Sequence, residues 1–372
     1  MIYLDNAATT LIKPQSVPWA VKRAVETMSS PGRGNYPTAM RAADLVLDCR
    51  IAAAELFKVP EPEQVVFTMN ATHALNIAIG SLCRRGSRVL ISGFEHNAVT
   101  RPLRAIGAEI RTAGETLFDP EKTLREFRSK IKETELVICT HVSNVFGYLL
   151  PICEIADLCR ENGVPLIVDA SQSAGVLDVD IQELDAAFVA MPGHKALMGP
   201  QGTGLLLCGQ RGRPLLYGGS GSDSAQQDMP AYLPDRLEAG TQNVPGIAGL
   251  LEGIRFVRDR GPEEIRRHER KLLRQMYELL SVNSGLKLFF SEQPSVQTGA
   301  LSIQSDRYES ETLARLLGER GVCVRGGLHC APTAHRSAGT LEGGTLRLSV
   351  SAFSTERDVE EACRIVREVL NG

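Results

Sequence analysis

The stretch AAFVAMPGHKALMGPQGTGLLLC, residues 186–208, decides the fold. It begins and ends in apolar runs of strand length, Ala186–Met191 and Thr203–Cys208. Neither run alternates with polar residues, so each reads as a strand buried on both faces. Gly193, Gly199, Gly202 and Gly204 punctuate the segment between them and argue for close backbone approach rather than a solvated surface. That turn carries one amine, Lys195, in Pro192-Gly193-His194-Lys195.

Four further runs of the same kind lie upstream: Gln64–Met69, Arg88–Ser92, Leu136–Val142 and Pro165–Ala170. Amphipathic segments such as Ala71–Leu82 and Ile152–Glu161 separate them. Continuous apolar strands joined by helical crossovers predict an α/β fold with a mostly parallel, helix-covered sheet. In such sheets ligands bind at the carboxyl ends of the strands. The polar residues expected at that edge are Thr72, His96, Asn144, Asp169 and Lys195.

The chain changes character near Val244-Pro245-Gly246. A long helical stretch follows over Ile247–Ser281, with a break at Pro262. Beyond it come strands Ala300–Gln304, Cys323–Arg325 and Thr345–Val350, and helices Ser310–Glu319 and Glu356–Leu370. We therefore expect a large domain over 15–250 and a smaller α+β domain over 251–372, with segment 1–14 packing on the latter. The polar, glycine- and serine-rich stretch Gly218–Pro234 reads as an exposed loop.

Composition narrows the function. The 372 residues are 43% hydrophobic and 23% charged, as in a soluble globular protein. A net charge of −3 gives no reason to expect nucleic acid or an anionic membrane as partner. No apolar run is long enough to span a bilayer, and the N-terminus lacks the pattern of a signal peptide, so the cytoplasm is the expected compartment. Nine scattered cysteines form no CxxC pair, and no metal site is expected. Cys139 and Cys208 fall in strands and read as core, whereas Cys330 lies in the loop Gly326-Gly327-Leu328-His329-Cys330-Ala331-Pro332.

Each candidate site residue has an ordinary structural alternative. Asn70-Ala71-Thr72, at a helix start, could bind phosphate or simply cap the helix. His96 could stack on a planar ring or be a structural histidine. Asp169 could hold a pyridinium N–H or cap the next helix, and Gln172 is three residues on. Arg347 lies in a strand and needs a buried anion, either a substrate carboxylate or an internal partner. Cys330 could be a nucleophile or an inert loop thiol, with His329 or Arg325 as cations that would favour its thiolate. An amine and an acid at the ends of neighbouring strands suit pyridoxal phosphate, the amine bonding to the aldehyde and the acid to the ring nitrogen.

In order along the chain these motifs resemble the class V aminotransferase family of pyridoxal phosphate enzymes, and within it the cysteine desulfurases. The resemblance rests on Tyr3-Leu4-Asp5-Asn6-Ala7-Ala8-Thr9-Thr10, Glu95-His96-Asn97-Ala98, His141-Val142-Ser143-Asn144, Val168-Asp169-Ala170-Ser171-Gln172-Ser173, Gly193-His194-Lys195 and Glu238-Ala239-Gly240-Thr241. It implies a fold-type I enzyme with a seven-stranded-type sheet. It implies that Lys195 carries the cofactor and moves protons, Asp169 binds the ring nitrogen, His96 stacks and acts in acid–base steps, and Gln172 touches the phenolic oxygen. Ala71, Thr72 and His194 would hold the phosphate with Thr241 from the other subunit of a homodimer. Asn144 and Arg347 would hold the carboxylate of L-cysteine or L-selenocysteine, and Cys330 would accept the sulfur and pass it to an acceptor protein, as in iron–sulfur cluster assembly. The short cysteine loop resembles that of the group II branch, which includes selenocysteine lyase. Two departures stand out. Pro192 replaces a common serine, and Lys195-Ala196-Leu197-Met198-Gly199-Pro200 carries one residue more than the usual lysine-to-Gly-Pro spacing.

Overall fold

The computed structural model describes residues 1–32 and 34–372. The chain opens with a two-residue strand, β1 (Ile2–Tyr3). Seven strands then build the large sheet: β2 (Val65–Thr68), β3 (Arg88–Ser92), β4 (Glu109–Ala113), β5 (Leu136–Thr140), β6 (Leu166–Asp169), β7 (Phe188–Pro192) and β8 (Gly204–Cys208). Their spatial order is β2-β8-β7-β6-β5-β3-β4. β8 runs antiparallel to both its neighbours and every other pairing is parallel. β5 through β8 are buried along their whole length, because helices cover both faces. Two apolar clusters sandwich the sheet, one containing Val137, Val168, Val189 and Leu207, the other Ile138, Ile167, Phe188 and Leu206. The alternation of these residues along each strand sends successive side chains to opposite faces.

Differences from expectation sit at the margins. The sequence reading omits β4, whose burial alternates at the sheet edge, so it has no continuous apolar run. The run expected over Ala186–Met191 becomes Phe188–Pro192, because Asp185 turns the chain with φ 45° just before it. The strand expected over Cys323–Arg325 is confined to Val322–Cys323, and Arg325 forms only an isolated bridge to Arg347. The expected break at Pro262 is present. One helix spans Val244–Arg260 and the next Pro262–Leu280, with Gly261 at φ 83° between them.

A second sheet, β9 (Leu286–Phe289), β10 (Ala300–Ser305) and, after the two-residue β11 (Val322–Cys323), β12 (Leu346–Ser349), has the antiparallel order β12-β10-β9. Its core joins Leu4 to Leu272, Leu301, Leu348 and Val366. Residue 250 falls inside the helix Val244–Arg260, and Leu251 and Ile254 belong to the large-sheet core. We propose Gly261 as the division between the units.

The N-terminal segment joins the two units. β1 pairs in parallel with β11, and Asn6 donates its side-chain amide to the Ser349 carbonyl at 2.9 Å. Farther on, the Thr10 N–H and hydroxyl both donate to the His194 carbonyl beside the large sheet. No helix among the described residues is long and apolar enough to cross a membrane.

One buried group lies between the units. Glu269, 4% exposed, lines a cavity together with Thr298, Ser143 and Lys195 and has no ion-pair partner within 4 Å among the described residues. Burial raises its carboxyl to about 8, against a nearby Arg260 that acts the other way. The folded state therefore keeps a proton that the unfolded chain releases above about 4.5, and this advantage drains away as pH rises toward 8. Glu269→Gln should thus gain melting temperature relative to wild type between pH 4.5 and 8, with no further gain above. Thermal unfolding across that range checks it, and a difference independent of pH contradicts it.

Candidate active site

The carboxyl edge of the large sheet opens into a cleft of about 230 Å³. Asp169 ends β6 and is 2% exposed. Its Oδ1 accepts the Ser171 N–H at 2.9 Å, so it does cap the following turn. Its second oxygen has no hydrogen-bond partner among the described residues, and the side chain lines the cleft. A carboxylate so placed, with no cation in ion-pair contact, is left to serve a donor that enters the cleft.

Lys195 follows β7 by three residues and lines the same cleft, with no hydrogen bond or ion pair from its Nζ among the described residues. Burial lowers its amine to about 8, Asp169 opposing and Arg347 and Arg325 assisting. The extra residue after Lys195 is absorbed at Met198, which adopts φ 58° while its N–H closes a turn on the Lys195 carbonyl at 2.9 Å. Pro192 ends β7 and contributes neither N–H nor hydroxyl to the cleft.

His96 caps the helix Asn97–Ile106, its Nδ1 accepting the Ala98 N–H at 3.0 Å. The ring proton is thereby placed on Nε2, and burial holds the imidazole neutral at about 4. The structural and the functional reading of His96 are compatible, because the cap uses only one nitrogen. The helix Ala71–Leu82 starts as expected, with the Asn70 side chain capping His73 N–H at 2.9 Å. The Ala71 and Thr72 N–H groups lie ahead of the first intrahelical bond, Ala74 N–H to Asn70 carbonyl, and line the cleft. Those free donors at a helix N-terminus suit an anion. His194 lies beside them with Nδ1 3.0 Å from Thr9 Oγ1. Gln172 lines the cleft and donates to the Ala7 carbonyl at 3.0 Å.

The smaller unit supplies the rest of the lining, Arg325, His329, Cys330 and Arg347. Arg347 on β12 is 1% exposed. It donates to Asp5 Oδ1 at 2.8 Å and to the Asn144 carbonyl at 2.7 Å, so the internal anion weighed for it is present. Asn144 in turn donates its amide to the His329 carbonyl at 2.8 Å. Cys330 is exposed, lines the cleft, and is held by the Asn97 N–H on its carbonyl at 2.8 Å. His329 and Cys330 have φ 49° and 57°, two successive non-glycine residues in the left-handed region. Such strain persists only where surroundings enforce it. His329 is not the cation suggested for Cys330. It is buried with Nε2 3.0 Å from the Thr345 carbonyl, and burial together with Arg347 depresses it to about 2. Arg325 remains as the cation of the cleft wall, exposed and without an ion pair among the described residues.

The cleft thus gathers Ala71, Thr72, His96, Asn144, Asp169, Gln172, His194, Lys195, Cys330 and Arg347. Thr241 lies outside it, exposed in a separate hollow with Leu216 and His73. Its loop is anchored by Glu238, which pairs with Arg50 at 2.5 Å and accepts the Phe67 N–H at 2.6 Å. The residues that sequence reasoning missed are Asp5 and the carbonyl of Ala7. Nothing in the spacing of the N-terminal segment announces contact with Arg347, 342 positions from Asp5, or with Gln172, 165 positions from Ala7.

Known proteins resemble this chain in sequence and fold. The model for the family described as Aminotransferase class-V matches residues 2–361. A protein described as a probable cysteine desulfurase from Methanothermobacter thermautotrophicus is 31% identical, over 99% of this chain and 94% of that protein. The solved apo structure of cysteine desulfurase from Thermococcus onnurineus superposes with a TM-score of 0.92 at 27% identity, covering 100% of this chain and 95% of that one. The cysteine desulfurase CsdA from Escherichia coli, at 24% identity and a TM-score of 0.86, has the same fold over 99% of this chain and 94% of its own. With its site geometry and its match over almost the whole length, the chain belongs to the class V aminotransferase family.

Proposed function

We propose that this protein is a pyridoxal 5′-phosphate-dependent cysteine desulfurase that converts L-cysteine to L-alanine and carries the sulfur as a persulfide on Cys330. The observation that carries the reading is the presence in one cleft of a half-buried amine, Lys195, with no partner for its Nζ among the described residues, and an exposed thiol, Cys330. Relatives that span the full chain are named for the same activity.

The described residues fit the cofactor. Asp169 offers its unpaired oxygen to a ring N–H, His96 a neutral face, and the Ala71 and Thr72 N–H groups a phosphate site that His194 borders. When bound, pyridoxal phosphate supplies an electron sink for bonds at the substrate Cα and Cβ. Lys195, with its proton affinity lowered to about 8, takes the substrate α-proton and returns a proton to carbon. Arg347 and Asn144 orient the carboxylate. The Cys330 thiolate forms an S–S bond with the substrate sulfur as the Cβ–S bond breaks. The electron pair goes to carbon, a proton completes the methyl of alanine, and the thiol side is oxidised to the persulfide. Exposure of Cys330 lets an acceptor protein reach the sulfur.

We extend the reading to a homodimer. Trp19, Val25, Met40 and Leu47 leave an apolar face exposed on the helices Ser16–Thr27 and Pro37–Phe57. Thr241 is exposed, with no hydrogen bond from its hydroxyl among the described residues, and is available to a partner's cleft. The nine cysteines, none in a disulfide, suit the cytoplasm.

Three outcomes test the proposal. Incubated with L-cysteine, wild type should release alanine, and Cys330→Ala should lose that activity while still binding pyridoxal phosphate. Alanine release by Cys330→Ala at the wild-type rate overturns the role of the thiol, and none from wild type overturns the activity. Uptake of pyridoxal phosphate by apoprotein, followed by absorbance, should quicken as pH rises through about 8 and then level off, because Lys195 sheds its proton there. A rate still climbing toward 10.5 would place an ordinary lysine at the site. Sedimentation should give twice the 40.4 kDa of the chain, and a monomer at all concentrations contradicts the role of Thr241.

A further inference from the structure

The first residues of the chain meet the functional side chains in order. Asp5 pairs with Arg347, the Ala7 carbonyl accepts Gln172, and Thr9 meets His194. We propose that Asp5 is a positioning residue for substrate recognition, standing behind Arg347 and aiming its guanidinium at the substrate carboxylate. The proposal rests on the reading of Arg347 as the carboxylate site.

Arg347 needs such a partner. A guanidinium 1% exposed is costly unless paired, and Asp5 is its one ion-pair partner among the described residues. Its Nε is buried with no acceptor. Its backbone N–H bonds the Arg325 carbonyl at 2.8 Å, which brings a second guanidinium into the same wall. Without Asp5, like charge would push on Arg347 and nothing on that side would hold it.

The geometry separates aiming from blocking. Arg347 lines the cleft and Asp5 does not. Asp5 therefore pairs with Arg347 without itself lining the cleft. Asp5 occupies one hydrogen of Nη2 and the Asn144 carbonyl one hydrogen of Nη1, and each nitrogen keeps a second N–H. Those two remaining donors are what a bidentate carboxylate requires. Asp5 itself is held on both sides. Leu4 N–H bonds the Cys323 carbonyl at 2.9 Å, Ser349 N–H bonds the Leu4 carbonyl at 2.7 Å, and Asn6 donates to Ser349. Its carboxylate has no other partner among the described residues, so aiming Arg347 is the task its contacts leave it.

The test is steady-state alanine release from L-cysteine by holoenzyme carrying Asp5→Asn, Arg347→Ala or both. Asp5→Asn should raise KM roughly 10–100-fold, as expected when an orienting group behind a binding residue is removed, with kcat within about twofold. Asp5 acts through Arg347, so adding Asp5→Asn to Arg347→Ala should cost nothing further. Should the asparagine variant fail to fold, Asp5→Glu keeps the charge but displaces it, and it carries the same split between KM and kcat. An unchanged KM in Asp5→Asn overturns the proposal, as do additive losses in the double variant. A lowered KM also overturns it, since Asp5 would then compete with substrate. If Arg347→Ala itself leaves KM unchanged, the carboxylate reading fails first, and the two failures are thereby distinguished.

Discussion

The structure turns on a half-buried amine and a buried carboxylate brought to one edge without being allowed to neutralise each other by contact. β6 and β7 pair in parallel, with Asp169 opposite Ala190, so the chain leaving β7 delivers Lys195 near the end of β6. Asp169 is tied by one oxygen to the Ser171 N–H, and Lys195 has no partner for its Nζ among the described residues. Two groups that could form an ordinary ion pair are instead kept apart, each with unused bonding capacity facing the cleft. That arrangement is costly in a folded protein unless a ligand completes it. The glycine-rich turn from Gly193 to Gly204 enforces it. A side chain at Gly193 would meet Thr203 Oγ1 at 2.2 Å, and one at Gly199 would meet the Gly193 carbonyl at 2.9 Å.

The second constraint is that neither unit contains the site alone. The large unit brings Thr72, His96, Asp169 and Lys195, the smaller one Cys330 and Arg347. What joins them is a small set of bonds. Asn97 N–H holds Cys330, Asn144 holds His329, Thr333 Oγ1 donates to the Glu95 carbonyl at 2.6 Å, and Ser337 Oγ to the Gly93 carbonyl at 2.8 Å. The strained backbone at His329 and Cys330 is kept by these attachments. The N-terminal segment completes the seam from the other side. The thiol is thus placed by the large unit although the smaller one carries it.

Much of this was readable from the residues, for definite physical reasons. Strands buried on both faces are continuous apolar runs, so β5 through β8 announce themselves, and Asp169 at the end of β6 with Lys195 just past β7 marks the functional edge. β4 lies at the sheet edge with Glu109 and Arg111 exposed, and no such run forms. Local capping signals located the helix at Ala71, but the sequence could not say that Asn70 takes the cap and leaves Thr72 free. Long-range pairing was out of reach. That Arg347 finds Asp5, and that His329 is buried against Thr345 and loses its charge, depend on contacts set only by the tertiary fold. Thr241, adjacent in motif to Glu238, lies away from its own cleft because the Arg50–Glu238 pair pins the loop elsewhere.

The central claim is that Cys330, and no other of the nine thiols, takes sulfur from a substrate held at Lys195. Cys153 is the other exposed thiol, on the helix Ile152–Asn162 and outside the cleft, which makes it an internal control. The most direct measurement is mass spectrometry of peptides from the holoenzyme, alkylated immediately after brief exposure to L-cysteine. The account predicts one added sulfur on the peptide carrying Cys330, and none there in a Lys195→Ala variant. Added sulfur on the Cys153 peptide alone, or on the Cys330 peptide whether or not Lys195 is present, would contradict it.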